Sequence, residues 1–316
     1  MDNLLTDHEA LASLEEHAEG PERNRSAYWE EEIKSFSVKA DGTVTGQTVL
    51  GNVSVKMNPL HTLAHWILQW PFRIMGRNYK TLGECERLGR LIARRQGRQF
   101  THDMLRQVLS LALIRHYADV DNSDDCNLVI GDGFGVLTSL FILATPKRRT
   151  ILVNLTKPLL LDLLYIQKAV SDLRFALVSA ADEMEWALGR PDIGLIAVRA
   201  EDASIIAKAP IGVAANIVSM QEMNPPVIAE YFRILRQNKA RETSFYCCNK
   251  LYKKLSYGTE VRFLEYPWQP TDNILHDSAC PWSQWYYAKR PPFWIYRRGK
   301  ERVIWHRMAT LAKEEG

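Results

Sequence analysis

The stretch CNLVIGDGFGVLTSLFIL, Cys126 to Leu143, constrains this chain more than any other part of it. The apolar run Asn127 to Ile130 meets three alternating glycines, Gly131, Gly133 and Gly135, and then an apolar segment with helical spacing. That is the sequence form of a strand, a tight turn and a helix. Without a Cβ, glycine lets the backbone approach a bulky ligand, and the free N–H groups at the helix start attract its polar parts. A cofactor-binding α/β domain is the expectation that follows.

The glycine spacing separates cofactor classes. A dinucleotide fingerprint places glycine or alanine three positions after its second glycine, and Val136 stands there. Glycine at every second position is instead the form favoured by S-adenosylmethionine (SAM) methyltransferases, where the turn passes beneath the methionine and ribose. A plain packing turn is the alternative that the motif alone leaves open.

The rest of the chain narrows the class. Its 316 residues, 46% hydrophobic, suffice for a full α/β core and an additional helical region. With 40 basic against 37 acidic residues, the balance is too even to argue for a nucleic-acid partner, and none is expected. Five cysteines form no CxxC pair and no zinc-ligand spacing, so free thiols and no metal site are expected. The amino terminus lacks the basic start and apolar core of a secretory signal, and no apolar run reaches the roughly 18 residues of a spanning helix. A cytoplasmic location without integral membrane contact is expected.

Residues 1 to about 30 read as a helix with a breaker at Gly20 and Pro21, and Asp41 to Met57 as a small hairpin. Helical spacing runs from His61 to about Tyr117, with breaks near Pro71, Gly83 and Gly97. After Cys126 strands alternate with helices, the pattern of a doubly wound, mostly parallel sheet. The strands expected are Asn127 to Ile130, Thr150 to Leu155, Leu195 to Arg199, Val213 to Ser219 and Thr243 to Asn249, with a later pair near Val261 to Glu265 and Trp294 to Arg298. Helices are expected at about 135–145, 157–170, 173–188 and 226–237. Ligands of such sheets bind beyond the carboxyl ends of the strands, where strand order reverses.

Each strand-end loop then offers candidates. Nucleotide-type cofactors are usually held after the second strand by a carboxylate on the ribose hydroxyls; here Asn154, followed by Leu155, offers one acceptor and one donor. A carboxylate is also common where Val129 stands, two residues before the first glycine. Beyond the third strand, Asp202 followed by Ala203 suits an adenine amino group, with Glu201 as the neighbouring option and a helix cap as the alternative for Asp202. Beyond the fourth, Ser219, Gln221 and Glu222 face the reactive side, and Glu222 is the first candidate base. Capping of the next helix by Glu222 and Asn224 is the competing explanation. His102 with Asp103 could fold over the site, and His306 and Asp272 could reach substrate from the tail. Five of the nine tryptophans, Trp268, Trp282, Trp285, Trp294 and Trp305, fall in that tail and suit an aromatic wall for a sugar ring or, equally, ordinary packing.

NLVIGDGFGVL, SMQEMNPPVIAEYFR (Ser219 to Arg233), FYCCNK (Phe245 to Lys250) and YPWQPTDN with CPW and PPF together resemble the sugar O-methyltransferases of bacterial polysaccharide and glycosylated natural-product pathways. The likeness covers roughly residues 28–307; QEM, YFR and YPW are its most specific pieces. It implies an α/β fold with a doubly wound, mostly parallel, seven-stranded Rossmann-like methyltransferase sheet, SAM as cofactor, and methyl transfer to a hydroxyl of a carbohydrate acceptor. Members usually carry an acidic residue where Val129 and Asn154 stand.

The expectation is a SAM-dependent O-methyltransferase in two parts: residues 1–120 as a helical substrate lid with a hairpin, and 121–316 as the SAM-binding domain with an aromatic-rich end. Gly131, Asp132, Gly133 and Gly135 would carry the methionine and ribose side, Asn154 the ribose and Asp202 the adenine. Glu222, helped by Gln221, would deprotonate the acceptor, with His306 in reserve. A homo-oligomer, a nicotinamide-dependent oxidoreductase and a non-catalytic relative stay open, the oxidoreductase disfavoured by Val136 and by the lack of a TyrxxxLys pair near the fourth strand.

Overall fold

The structure, a computed structural model, describes residues 4–23, 25–46, 59–120, 123–288 and 290–314. The Asp41 to Met57 hairpin expectation falls partly outside these. Within them, Phe36–Val38 pairs with Val44–Gly46 across a turn at Asp41 and Gly42. The Asp41 carboxylate accepts the Thr43 N–H, and Gly42 takes the left-handed φ of +87° that the turn needs.

Among the described residues nine strands form the central sheet, in the order Leu5–Thr6, Arg174–Val178, Ile193–Arg199, Thr150–Asn154, Cys126–Ile130, Ile211–Ile217, Thr243–Lys250, Ile304–Leu311 and Asn273–Ala279. From Arg174–Val178 to Thr243–Lys250 the pairing is parallel, and the outer strands pair antiparallel. The Cys126–Ile130 strand lies between Thr150–Asn154 and Ile211–Ile217. The chain leaves it first to one side and later returns to the other, so the strand order reverses there. This is a doubly wound α/β sheet with its switch point at the glycine turn.

Alternation along the central strands feeds two cores. Val129 and Leu152 point into the layer that holds the His102–Tyr117, Val136–Ala144 and Thr156–Ala169 helices. Leu128, Ile130, Ile151 and Val153 point into the layer of the Ala181–Gly189 and Pro225–Gln237 helices. Val129 is therefore a core residue packed under helices, where a carboxylate would be buried without a partner. Leu5–Thr6 adds to the sheet edge beside Arg174–Val178, so the amino-terminal region and the sheet share hydrogen bonds as well as a core.

Three sequence expectations need correction. The 173–188 helix is a strand, Arg174–Val178, followed by a shorter helix, Ala181–Gly189. Ala181–Gly189 begins without a proline or glycine before it, so the apolar spacing ran on unbroken. Second, the late strands near Val261 to Glu265 and Trp294 to Arg298 lie outside the central sheet: Glu260–Arg262 pairs with Tyr252–Lys254, and Trp294–Tyr296 with Trp285–Tyr287. Asn273–Ala279 and Ile304–Leu311 take the sheet positions instead. The first is largely exposed and lacks apolar alternation, and the second has His306 at an inward position. Third, Leu5–Thr6 and Arg174–Val178 join the sheet as well, which makes it nine-stranded among the described residues rather than seven-stranded.

Candidate functional site

A cavity of about 520 Å³ opens at the carboxyl ends of the central strands. It lies within the roughly 300–1,000 Å³ typical of ligand sites. Gly131, Asp132 and Gly133 line its floor, with Asn154 and Leu155 on one side and Ser219 and Glu222 on the other.

The glycine turn is built as its sequence requires. Gly131, Gly133 and Gly135 have φ of +68°, +104° and +60°, all left-handed. A Cβ on Gly131 would meet Ser219 Oγ at 2.3 Å, and one on Gly135 would meet Ile166 Cγ1 at 2.3 Å. Gly131 thus closes onto the loop after Ile211–Ile217, while Gly135 seats the turn on the Thr156–Ala169 helix. The Asp132 carboxylate turns back to the start of the Val136–Ala144 helix and accepts from the N–H groups of Leu137 (3.1 Å) and Thr138 (2.6 Å). The helix N-terminus, ready for an anion in a dinucleotide site, already holds a carboxylate here.

A second carboxylate supports the turn from below. Asp162 Oδ1 accepts the Gly135 N–H at 3.1 Å, and Oδ2 accepts from Asn154 Nδ2 at 2.9 Å. Burial lifts the Asp162 carboxyl well above its ordinary range, and neighbouring Asp132 lifts it further. The strand-end loops did not point to Asp162, a lone acid in the apolar helix segment LLLDLLYI. A buried acid on such a face, eight residues after a strand-end asparagine, was the available signal.

Asn154 is held in place by this bond and by its own Oδ1, which accepts the Leu155 N–H at 2.9 Å. On the opposite side, Ser219 Oγ donates to the Ile130 carbonyl at 3.1 Å and accepts from Asn216 Nδ2 at 2.9 Å. Val218, which also lines the cavity, has φ of +62°. A β-branched residue rarely adopts that conformation, and strain of this kind gathers at ligand-binding loops.

Glu222 faces the cavity and pairs with Lys253 at 3.0 Å. Burial raises its carboxyl above the ordinary range, while Lys253 and the Gln221 side chain pull against that shift. Lys253 in turn sits 4.1 Å from the centre of the Tyr28 ring. Tyr28 and Trp29 line the cavity from the amino-terminal segment, which is fastened where Glu22 Oε1 accepts from the Thr156 N–H (2.9 Å) and hydroxyl (3.0 Å). Asp103, Arg106 and Gln107 come from the His102–Tyr117 helix, and Asp103 accepts from Arg106 at 3.0 Å. Sequence reasoning missed Tyr28, Trp29, Arg106 and Tyr231 because none belongs to a strand-end loop.

Several candidates lie elsewhere. Past Ala200, which touches the cavity, the chain turns away as the 3-10 helix Ala200–Lys208. Arg199 ties down both acids of that turn, Glu201 at 2.6 Å and Asp202 at 3.0 Å, and Ala203 packs in the core, so none of the three lines the cavity. Gln221 is buried with its Oε1 accepting the Lys250 N–H, a brace between loop and sheet. Asp272 forms a buried ion pair with Arg236 at 2.7 Å, on a helix face remote from the lining. His306 is wholly buried between Tyr246 and His276, and burial together with His276 pushes its pKa down to about 3. A ring so placed stays neutral and out of reach of an acceptor. Nor do the tail tryptophans form a wall here. Trp268 packs on Phe232 at 4.8 Å, Trp282 on His306 at 5.2 Å, and Trp285 and Trp294 belong to an outer hairpin.

Among the described residues no group of three or more His, Cys, Asp or Glu could hold a metal ion, and no helix is long and apolar enough to cross a membrane. The five cysteines are free and buried.

No protein-family model matches the chain, and no curated protein matches it. Solved structures similar to it include the methyltransferase CalO6, at 12% identity and a TM-score of 0.37 over 62% of this chain and 60% of that one. The pyocyanin biosynthetic protein PhzM is similar at 11% identity and a TM-score of 0.36, over 89% of this chain and 81% of that one. The glycopeptide N-methyltransferase MtfA, solved with S-adenosylhomocysteine, is similar at 12% identity and a TM-score of 0.29, over 65% and 71%. The fold assignment rests on the strand order of this chain itself.

Proposed function

We propose that this chain is a SAM-dependent O-methyltransferase acting on a hydroxyl of a carbohydrate acceptor: a polysaccharide, glycolipid, nucleotide-sugar or glycosylated natural product. The observation that carries the reading is the glycine turn itself, three left-handed glycines under a cavity at the switch point, with the Asp132 carboxylate in the helix N-terminus. That carboxylate opposes the pyrophosphate of a dinucleotide and favours a cationic sulfonium and amino group. The absence of a Cβ at Gly131 lets the turn close onto Ser219 at the cavity floor.

Gly131, Asp132, Gly133 and Asn154 would hold the cofactor, with Leu155 and Val153 against its apolar parts. Bound SAM would supply an electrophilic methyl group. Glu222 accepts the proton of the acceptor hydroxyl, and its raised pKa brings it nearer the operating pH of a general base. Lys253, its ion-pair partner, fixes the carboxylate and keeps it ionised before the acceptor arrives. Residues 1–120 act as the substrate lid and contribute, among others, Tyr28, Trp29, Arg98, Asp103 and Arg106 to the cavity wall.

Incubation with methyl-labelled SAM and a panel of nucleotide-sugars and oligosaccharides tests this reading. Alkali-stable label in a sugar product is the expected result. Label that enters only non-carbohydrate acceptors would overturn the acceptor class, and stabilisation by NAD or NADP but not by S-adenosylhomocysteine would overturn the cofactor.

A further inference from the structure

A second recess, of about 350 Å³, lies on the outer side of the Leu82–Arg95 helix. Four arginines line it: Arg87, Arg90 and Arg94 along one helix face and Arg98 just past the helix end, with Thr62 and Phe100 beside them. The three helical arginines fall at spacings of three and four, so they stack on one face. From Arg87 to Arg94 they span about 10 Å along the axis, at 1.5 Å per residue.

Charge compensation is sparse. Arg90 reaches Glu86 at 2.6 Å, but Glu86 also serves Arg73 at 2.9 Å. Arg87, Arg94 and Arg98 have no carboxylate within ion-pair distance among the described residues. Like charges at these spacings weaken a helix. Complementing the helix dipole accounts for Arg95, whose Nη1 donates to the Ala169 carbonyl, but not for Arg87, two turns before the end. Two of the guanidiniums are also held by aromatic faces, Arg90 at 4.8 Å from the Phe100 ring centre and Arg98 at 3.8 Å from that of Phe134. A guanidinium stacked on a ring keeps its edge N–H donors free for planar recognition of an oxyanion.

Arg98 also lines the main cavity, and Phe134 belongs to the glycine turn. One guanidinium therefore stands between the two spaces. The geometry points to an anion site in this recess that takes a diphosphate group, with Arg87, Arg90, Arg94 and Arg98 as its ligands and Arg98 as the hinge toward the main cavity. A single phosphate would engage one or two of these arginines, whereas a ladder of this length matches two linked phosphates. That the diphosphate belongs to the methyl acceptor, leaving its sugar to reach Glu222, rests on the methyl-transfer reading; the anion site itself does not.

Calorimetric titration of the full chain with inorganic pyrophosphate, UDP and farnesyl diphosphate tests the site. Pyrophosphate should bind, more weakly as salt is added, and Arg87→Ala with Arg94→Ala should lower its affinity about tenfold or more. S-adenosylhomocysteine binding should stay unchanged in that variant, which also reports on folding. Arg87→Lys with Arg94→Lys keeps the charge but loses the bidentate edges, and should fall between the two. Tighter binding of UDP than of farnesyl diphosphate, or the reverse, names the source and supports the site either way. Absence of heat from all three ligands at millimolar concentration, or equal affinity in the alanine variant, would overturn it. Failure of S-adenosylhomocysteine to bind while pyrophosphate does would instead sink the methyl-transfer reading and leave the groove standing.

Discussion

Asn154 Nδ2 donates to Asp162 Oδ2 at 2.9 Å, linking the end of the second parallel strand to the helix that follows it. The carboxylate expected at the strand end is thus present one element later. It bonds the underside of the glycine turn through the Gly135 N–H, and the amide at Asn154 serves as the intermediary.

Exchanging the two groups tests this arrangement. Asn154→Asp alone sets a half-buried carboxylate against the buried Asp162, and Asp162→Asn alone sets two amides; each should cost about 1–3 kcal/mol in denaturant unfolding. The double variant Asn154→Asp with Asp162→Asn restores a donor facing an acceptor. It should recover most of that loss and bind S-adenosylhomocysteine more tightly, since a carboxylate then stands at the strand end. Additive losses in the double variant would show that the bond is incidental.

Glu222→Gln keeps the shape of the side chain and removes the base. Cofactor binding should persist while turnover on the true acceptor falls by about two orders of magnitude or more. An unchanged rate in single-turnover measurements would dismiss Glu222 as the base.

The Arg236–Asp272 pair is structural, and its prediction concerns stability. Asp272→Ala leaves a buried guanidinium without its partner and should cost about 3–5 kcal/mol. Burial alone would raise the Asp272 carboxyl, but bonds from Arg236, Gln269 and Ala312 hold it below the ordinary range. A carboxyl depressed in the folded state contributes stability above its unfolded pKa, near 3.9, and that contribution is lost as pH falls through the folded value. His306, buried with a pKa of about 3, adds a loss with the same sign that begins near its unfolded value of about 6.5. Unfolding free energy measured from pH 7 to 3 should fall, and less steeply in Asp272→Asn and in His306→Gln. Identical slopes in both variants and the parent chain would refute the assignment.

The parallel core and its glycine turn were legible because apolar strand runs, turn residues and helix spacing agree over Cys126 to Ala144 and Thr150 to Ala169. What stayed hidden has physical causes. Arg174–Val178 is a five-residue strand with no breaker before its helix, and Asn273–Ala279 is polar and exposed. Gly131, Asp132, Gly133, Asn154, Leu155, Ser219 and Glu222 could be placed at the cavity because strand-end loops are where such folds put ligands. Asp202 and Glu201 could not be set apart from it in sequence, since pairing with Arg199 depends on how the chain turns after Ala200. Tyr28, Trp29 and Arg106 reach the cavity from helices distant in sequence, and no local pattern marks them.

Calorimetric titration of S-adenosylhomocysteine into the wild-type chain and into Gly131→Ala tests the central claim most directly. At Gly131 a methyl group would strain a φ of +68° and meet Ser219 Oγ at 2.3 Å, inside the cavity floor. The account predicts saturable binding to the wild type, loss of binding in a Gly131→Ala variant that remains folded, and no heat from NAD. No binding of S-adenosylhomocysteine to the wild type at millimolar concentration, or saturable binding of NAD in its place, would contradict it.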